Sequence, residues 1–259
     1  MRVVQSRPVT APGYRDFYFP LNVFMHVISA EEGEPTYLHY GLFESPGDSL
    51  RSAQERSTEL LLSRLPAPPC TILEVGIGLA TTLARLTSMG YDIEGITPDE
   101  KQIAFVRGRH GDAVRMHWAP LEAFATERTY DLLLFQESSQ YIDSEALFAK
   151  AEALAPRVVV LDEFALEPVD LPGALHSRAG FLEAATRHGF RLTEELDLSA
   201  KAAPTVDWFM ARIPRHRDRL VADLGLGSAQ IDDLLAGGHN YRDFYTRGVY
   251  GYRLMQFGR

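Results

Sequence analysis

A glycine turn between an apolar strand and a helix constrains this chain more than any other feature. Residues 70–82 read CTILEVGIGLATT, which predicts a buried strand, a turn at Gly76 and Gly78, and a helix from about Ala80. Glycine has no Cβ, so the turn can bend sharply and a ligand can approach its backbone. The helix directs its free N–H groups and positive dipole end into the turn. The stretch therefore predicts a nucleotide-type site.

The residues around the turn bear on which nucleotide it holds. A dinucleotide fingerprint has a third glycine where this chain has Thr81, and an acid at the end of the next strand. Here the acid is Glu74, two residues before the first glycine. A carboxylate there is unfavourable beside a pyrophosphate and favourable beside an ammonium group. The two glycines by themselves are also compatible with an ordinary turn between a strand and a helix that binds no ligand.

Strands and helices alternate regularly from residue 70 to residue 198. Such alternation is typical of a mostly parallel sheet with right-handed crossovers. We predict an α/β fold with a doubly wound, seven-stranded, mostly parallel sheet. The predicted strands span 70–75, 92–97, 114–118, 130–136, 157–162, 191–198 and 249–257, and the helices between them 80–89, 99–107, 144–155 and 177–188.

Two segments lie outside this alternation. Residues 1–49 carry several prolines and many aromatic residues, so we predict an irregular N-terminal aromatic cap that folds over the core, followed by a helix at 50–65. Residues 199–247 read as a helical lid inserted between strands six and seven, above the carboxyl ends of the strands, where doubly wound folds bind ligands. We therefore predict one domain over 1–259, with the cap and helix at 1–65, the core at 70–198 and the last strand at 248–259.

Composition excludes several classes of function. A net charge of −9 disfavours nucleic acid as a partner. A single cysteine, Cys70, excludes a disulfide framework and a cysteine zinc cluster, and the histidines lack metal-ligand spacing, so no metal is predicted. No apolar run reaches the ~18 residues of a membrane span. We expect a cytoplasmic protein with a small-molecule substrate, and a homodimer stays open.

Four blocks in one order and spacing carry a family resemblance. They are YLHYG at 37–41, SLRSAQ at 49–54, the glycine turn and GITPDEKQ at 95–102. The sequence resembles class I S-adenosylmethionine-dependent methyltransferases, in the branch of cyclopropane synthases and of tocopherol, sterol and prenyl-diphosphate C-methyltransferases. The resemblance covers about residues 37–162 and departs from the motif E/D-x-G-x-G-x-G at Ala80. It implies a Rossmann-like fold and S-adenosylmethionine as cofactor.

The resemblance and the cofactor's chemistry together predict the binding residues. Glu74 pairs with the ammonium group, Gly76 and Gly78 admit the methionine part, and Thr97 with Gln102 holds the ribose or adenine. For Thr97 the alternative is a hydroxyl that only starts the next helix. The predicted cofactor set is Tyr37, Leu38, Glu74, Gly76, Gly78, Thr97, Pro98, Gln102, Trp118, Ala119 and Gln136.

Two members of this set follow from the resemblance, and Gln136 follows from its position. The resemblance places Tyr37 over the cofactor, where its ring face can stabilise a sulfonium. It places Trp118 against the adenine, with a core tryptophan as the alternative. Gln136, at the end of strand four, should face the methionine portion.

Glu137, directly after strand four, is the first candidate for catalysis. It can accept a proton or stabilise a cation, or only orient the cofactor. His39 stands where cyclopropane synthases carry a cysteine that holds bicarbonate, and Gln140 replaces their bicarbonate-binding glutamate, so cyclopropanation is disfavoured. His39 can be a base or simply hydrogen-bonded. His176 and Tyr241, the latter in the lid, complete the catalytic candidates.

These residues predict a function. We expect transfer of a methyl group from S-adenosylmethionine to a small, partly apolar metabolite in specialised metabolism, with carbon, nitrogen and oxygen acceptors all open. The alternatives are a nicotinamide-dependent oxidoreductase and a non-catalytic cofactor-binding partner subunit, which would have no cavity beyond the cofactor. The lid arginines at 212, 215, 217 and 219 are either a solvated face or a site for an anionic acceptor.

Overall fold

The computed structural model describes residues 13–169 and 175–259. Seven strands form one sheet. They are β1 (Thr71–Val75), β2 (Asp92–Thr97), β3 (Met116–Trp118), β4 (Leu132–Gln136), β5 (Arg157–Ala165), β6 (Arg191–Asp197) and β7 (Tyr250–Gly258).

The order of the strands is β3-β2-β1-β4-β5-β7-β6. β1 pairs in parallel with β2 and β4, and the outer pairs β2–β3 and β4–β5 are also parallel. β7 enters antiparallel between β5 and β6. Every residue of β4 is buried, because helices cover both faces of a parallel sheet. The predicted α/β, mostly parallel, seven-stranded fold is confirmed.

Helices α3 to α6 connect the parallel strands close to the predicted bounds. The helices of the described residues are α1 (Leu21–Glu32), α2 (Leu50–Leu62), α3 (Thr81–Ser88), α4 (Glu100–His110), α5 (Ser144–Leu154), α6 (Arg178–Arg187), α7 (Ser199–Ala202), α8 (Pro204–Arg212), α9 (Arg217–Leu224) and α10 (Ser228–Thr246). The side chain of Asp99 caps α4, and the side chain of Asp143 caps α5. Among these helices none has the length and apolar character that crossing a membrane would require.

The prediction that the chain is irregular up to residue 49 is wrong, because α1 lies within that stretch. Pro20 occupies the N-cap position and Pro35 lies beyond the end of the helix, so these prolines bound α1 rather than break it. Val23, Met25 and Val27 are all fully buried, and burial on several sides removes the one-sided pattern that reveals a surface helix. Residues 1–12 of the predicted cap lie outside the described residues.

Helix α1 packs against the helices of residues 199–246. Val23, Val27 and Ile28 share one apolar cluster with Trp208 of α8 and Ile231 of α10. Two acid–histidine contacts also join α1 to residues 199–246: His26 Nε2 lies 2.9 Å from Asp223, and His216 Nε2 lies 2.6 Å from Glu31. Helix α1 and helices α8 to α10 therefore pack together as one helical layer, called the cover below.

The chain at Gly41 touches both α2 and α8. Its N–H donates to Thr205 Oγ1 at 3.0 Å, and a Cβ at Gly41 would lie 2.5 Å from Ala53 Cβ and 3.0 Å from the backbone carbon of Ala53. Gly41→Ala should therefore lower the free energy of unfolding by about 1–3 kcal/mol. Urea unfolding measures this loss.

Gly47→Ala is the matched control, because a Cβ at Gly47 would meet no atom of the described residues within 4 Å. Equal stability of the two variants would contradict close packing at Gly41.

Candidate functional site

The carboxyl ends of β1, β2 and β4 surround a cavity of about 570 Å³. The strand order reverses between β1 and β4, which is where doubly wound sheets bind ligands. A cavity of about 40 Å³ adjoins the larger one and is lined by Tyr37 and Glu74. Of the predicted cofactor set, the larger cavity is lined by Leu38, Gly76, Gly78, Thr97, Pro98, Gln102, Ala119 and Gln136. The structure thus brings together every member of the set except Trp118.

The turn after β1 is built from three left-handed residues. Gly76 has φ +80°, Gly78 has φ +50° and Ala80, the N-cap of α3, has φ +57°. A Cβ at Gly76 would lie 2.3 Å from Ser138 Cβ, whereas one at Gly78 would meet only Leu38, at 3.4 Å. Gly76 is therefore needed for packing against the chain after β4, and Gly78 leaves its backbone open towards the cavity.

Glu74 is a buried carboxyl group with an unused oxygen. Its side chain is 2% exposed, and its Oε2 finds no hydrogen-bond donor among the described residues. Burial raises the pKa of Glu74 from 4.5 to about 8, because no neighbouring cation compensates the lost hydration. A ligand ammonium group would supply both the missing donor and the missing charge.

Thr97 and Gln102 form a hydrogen-bonded pair at the end of β2. Thr97 Oγ1 donates to Gln102 Oε1 at 2.9 Å and accepts the Asp99 N–H at 3.2 Å. The hydroxyl therefore does take part in starting α4, and it also orients Gln102, which lines the cavity. Trp118 stands apart: it is 62% exposed, and its indole N–H donates to Pro98 O at 2.9 Å.

Gln136 and Tyr37 link the cavity wall to neighbouring helices. Gln136 Oε1 accepts from Thr82 Oγ1 of α3 at 2.8 Å. The Tyr37 hydroxyl donates to Glu55 of α2 at 3.1 Å, and its ring is buried. Both side chains are thus held in place before any ligand binds.

Glu137 lies where two cavities meet. It adopts φ +54°, a left-handed conformation that is unfavourable for a residue with a Cβ and that clusters at functional sites. Its Oε1 accepts the Tyr40 N–H at 2.5 Å and the Tyr252 hydroxyl at 2.6 Å. No donor from the described residues reaches Oε2. Burial, then the charge of Glu163, raises the pKa of Glu137 well above its ordinary value.

The second cavity has a volume of about 550 Å³ and lies between α1, α8 and α10. Phe24, Phe209 and Met210 contribute apolar walls, and Glu137 is shared with the first cavity. Glu163 lines the second cavity and accepts the Tyr245 hydroxyl at 2.5 Å. Burial raises the pKa of Glu163 to about 7.

The other three catalytic candidates lie at three different places. Tyr241 lines the second cavity, beside Glu163. His39 lines the first cavity, but its Nδ1–H donates to Tyr40 O at 2.9 Å and its Nε2 accepts from Thr58 Oγ1 at 3.0 Å. Burial lowers the pKa of His39 to about 4. His176 Nε2 donates to two backbone carbonyls and lines neither cavity. Both histidines thus have hydrogen-bonding roles.

Tyr252, Asp162 and Glu163 shape the site but were not among the predicted site residues. Tyr252 reaches Glu137 from β7, whose antiparallel entry between β5 and β6 is a property of the folded sheet. Asp162 accepts hydrogen bonds from the Ser139 N–H and hydroxyl, at 2.9 and 2.6 Å, and so fixes the chain beyond Glu137. For Glu163 the available signal was its position at the end of strand five.

The lid arginines do not form an anion site at the second cavity, and the described residues contain no cluster suited to a metal ion. Arg212 pairs with Glu31 at 3.3 Å and stacks on Trp208, and Arg217 pairs with Asp232. None of the four arginines lines the second cavity. Within residues 13–169 and 175–259 no cluster of His, Cys, Asp and Glu has the arrangement of a metal site.

The unpaired Glu74 predicts a pH dependence of stability. Unfolding returns its pKa from about 8 to 4.5, so the unfolded chain loses this proton first as the pH rises, and the folded state loses stability across that window. Glu74→Gln should match the wild type at about pH 5 and exceed its free energy of unfolding by roughly 2–4 kcal/mol at about pH 8. Urea unfolding at both pH values measures the difference.

Glu100→Gln, the same change at an exposed position of α4, is the control and should show no such gain. A Glu74→Gln effect that is equal at both pH values would contradict a protonated Glu74.

The fold agrees with that of solved methyltransferases. No family model and no curated relative matches the sequence. The mycolic acid cyclopropane synthase CmaA1, solved with SAH and CTAB, is 19% identical with a TM-score of 0.74, over 86% of this chain and 90% of its own. A putative sarcosine dimethylglycine methyltransferase from Galdieria sulphuraria is 16% identical with a TM-score of 0.77, over 91% and 96%.

The [4+2]-cyclase SpnF is equally similar, at 18% identity and a TM-score of 0.74, over 90% of this chain and 91% of its own. Identities this low establish a shared fold and leave the reaction to be argued from the site. The chain therefore has the class I methyltransferase fold that its sequence resembles.

Proposed function

We propose that this protein transfers a methyl group from S-adenosylmethionine to a small, partly apolar metabolite. One observation carries the proposal: the buried, unpaired Glu74 borders a cavity at the strand-order reversal, and this cavity meets a second, apolar one at Glu137. The first cavity suits a nucleoside with an amino acid end. The second suits an acceptor.

The residues of the first cavity fit the chemical groups of the cofactor. Glu74 would bind the ammonium group, and the backbone at Gly78 would lie against the methionine part. Gln102, oriented by Thr97, would bind the ribose or adenine, with Pro98 and Ala119 along the base. When bound, the cofactor supplies an electrophilic methyl group on a sulfonium.

Glu137 is the residue best placed to serve the reaction. Tyr40 and Tyr252 fix its Oε1, so Oε2 is left for the acceptor. Its N–H donates to Leu161 O at 2.8 Å, which helps to hold its left-handed backbone. Methyl transfer needs mainly alignment, plus a base where the acceptor carries a proton. Glu137 meets the second need, whereas His39 has no free ring nitrogen.

Two alternative functions find less support. A dinucleotide-binding sheet has the order 3-2-1-4-5-6, whereas here β7 runs antiparallel between β5 and β6. A non-catalytic cofactor-binding subunit would lack a cavity beyond the cofactor, and the cavity of about 550 Å³ argues against it. A place in specialised metabolism and in the cytoplasm remains part of the proposal, and a homodimer stays open.

Cofactor binding and its linked proton test the proposal. At about pH 7 the wild type should bind S-adenosylhomocysteine and release about one proton, because the ligand ammonium lowers the pKa of Glu74. Glu74→Gln should bind roughly 10–100-fold more weakly and release no proton from this position. Calorimetry in buffers of different ionisation enthalpy measures both quantities.

Glu100→Gln again serves as the control and should keep the wild-type affinity and proton release. Absence of binding at millimolar S-adenosylmethionine and S-adenosylhomocysteine would refute the proposal. Binding of NADH in their place would favour the oxidoreductase.

A further inference from the structure

We propose, resting on the methyl-transfer function above, that the acceptor is an apolar amine whose nitrogen is received between Glu137 and Glu163. The second cavity, defined above between α1, α8 and α10, carries this inference. Its acidic side chains, the neutral donors that bind them and its apolar lining residues all indicate an apolar amine.

The second cavity is lined by acidic side chains and, within the part of the chain that the structure describes, not by basic ones. Glu137, Glu163 and Asp233 line it, and no lysine, arginine or histidine of the described residues does so. Glu163 lies close enough to Glu137 for its charge to contribute to the raised pKa of Glu137. A carboxylate or phosphate on the acceptor would find no basic side chain among these lining residues, and it would meet like charge whenever one of the acids is ionised. An anionic acceptor is therefore disfavoured.

The hydrogen bonds to the two glutamates orient their side chains but bring no positive charge to them. Tyr252 and the Tyr40 N–H bind Glu137 Oε1, and Tyr245 binds Glu163 Oε1. All of these donors are neutral, so the negative charge of an ionised pair has no protein cation beside it. A protonated amine supplies that cation, and a neutral alcohol does not.

The apolar residues that line the cavity indicate that the rest of the acceptor is apolar. Leu21, Phe24, Val206, Phe209 and Met210 face the cavity, and the negative faces of aromatic rings also favour a cation. An apolar chain or ring carrying one amine therefore matches both the walls and the acidic end. A strongly polar amine would leave the apolar walls uncovered.

The position of Glu137 makes an amine a productive acceptor. The bound ammonium first passes one proton to Glu137 Oε2, for which the described residues provide no donor. The neutral amine then attacks the methyl carbon, so the N–C bond forms while the S–C bond breaks and its electron pair returns to sulfur. The methylated nitrogen carries the positive charge that the sulfonium loses. No further reactant is needed.

Phenylbutylamine, phenylbutanol and phenylbutyrate are probes that differ only in their polar end. Calorimetry on protein saturated with S-adenosylhomocysteine should show the amine binding at least about tenfold more tightly than the alcohol, and the carboxylate more weakly than either. Glu163→Gln should remove about tenfold of the amine affinity while leaving alcohol and cofactor affinities unchanged.

Asp232→Asn is the matched control, since Asp232 lies beside Asp233 on α10 but pairs with Arg217 on the exposed surface. It should keep the preference for the amine. Equal or tighter binding of the alcohol, or an amine preference that survives Glu163→Gln, would overturn this inference. In either case retained S-adenosylhomocysteine binding leaves the methyl-transfer proposal standing, whereas lost binding in the wild type defeats that proposal itself.

Discussion

Burial of carboxyl groups without cations is the constraint on which this site depends. Glu74, Glu137 and Glu163 all lie at the carboxyl ends of neighbouring strands, and burial raises the pKa of each. Removing an ionised carboxylate from water is costly unless a partner restores its interactions. The described residues supply neutral donors to Glu137 and Glu163 and no donor to Glu74 Oε2. A cationic ligand would provide the positive charge that these buried carboxyl groups lack.

Asp162 shows how the same fold treats a structural carboxylate. It is fully buried, yet backbone and hydroxyl donors from Ser139, Gln140 and Glu163 bind both of its oxygens. Those bonds tie the chain after β4 to β5 and so help to fix the position of Glu137. Asp162 lines neither of the two large cavities, whereas Glu74, Glu137 and Glu163 each line a cavity.

The cover of α1 and α8 to α10 gives these carboxylates their environment. Apolar contacts and acid–histidine pairs join α1 to the helices before β7. Their inner surfaces wall the second cavity, which keeps Glu137 and Glu163 partly or fully out of water. Because the effective dielectric constant falls on burial, each charge acts there more strongly than it would at the surface.

Local sequence determined the strands, the glycine turn and most of the first cavity, because alternation and turn chemistry act over a few residues. Gly76, Gly78, Thr97 and Gln102 could therefore be predicted from their places at strand ends. Tertiary structure alone decided the rest. It turned α1 into a buried helix, exposed Trp118 and occupied both nitrogens of His39. It also brought Tyr252 from β7 to Glu137 and Tyr245 from α10 to Glu163. These contacts join residues about a hundred positions apart, and a pairing over that distance is set by packing of the whole sheet and its cover rather than by any local pattern.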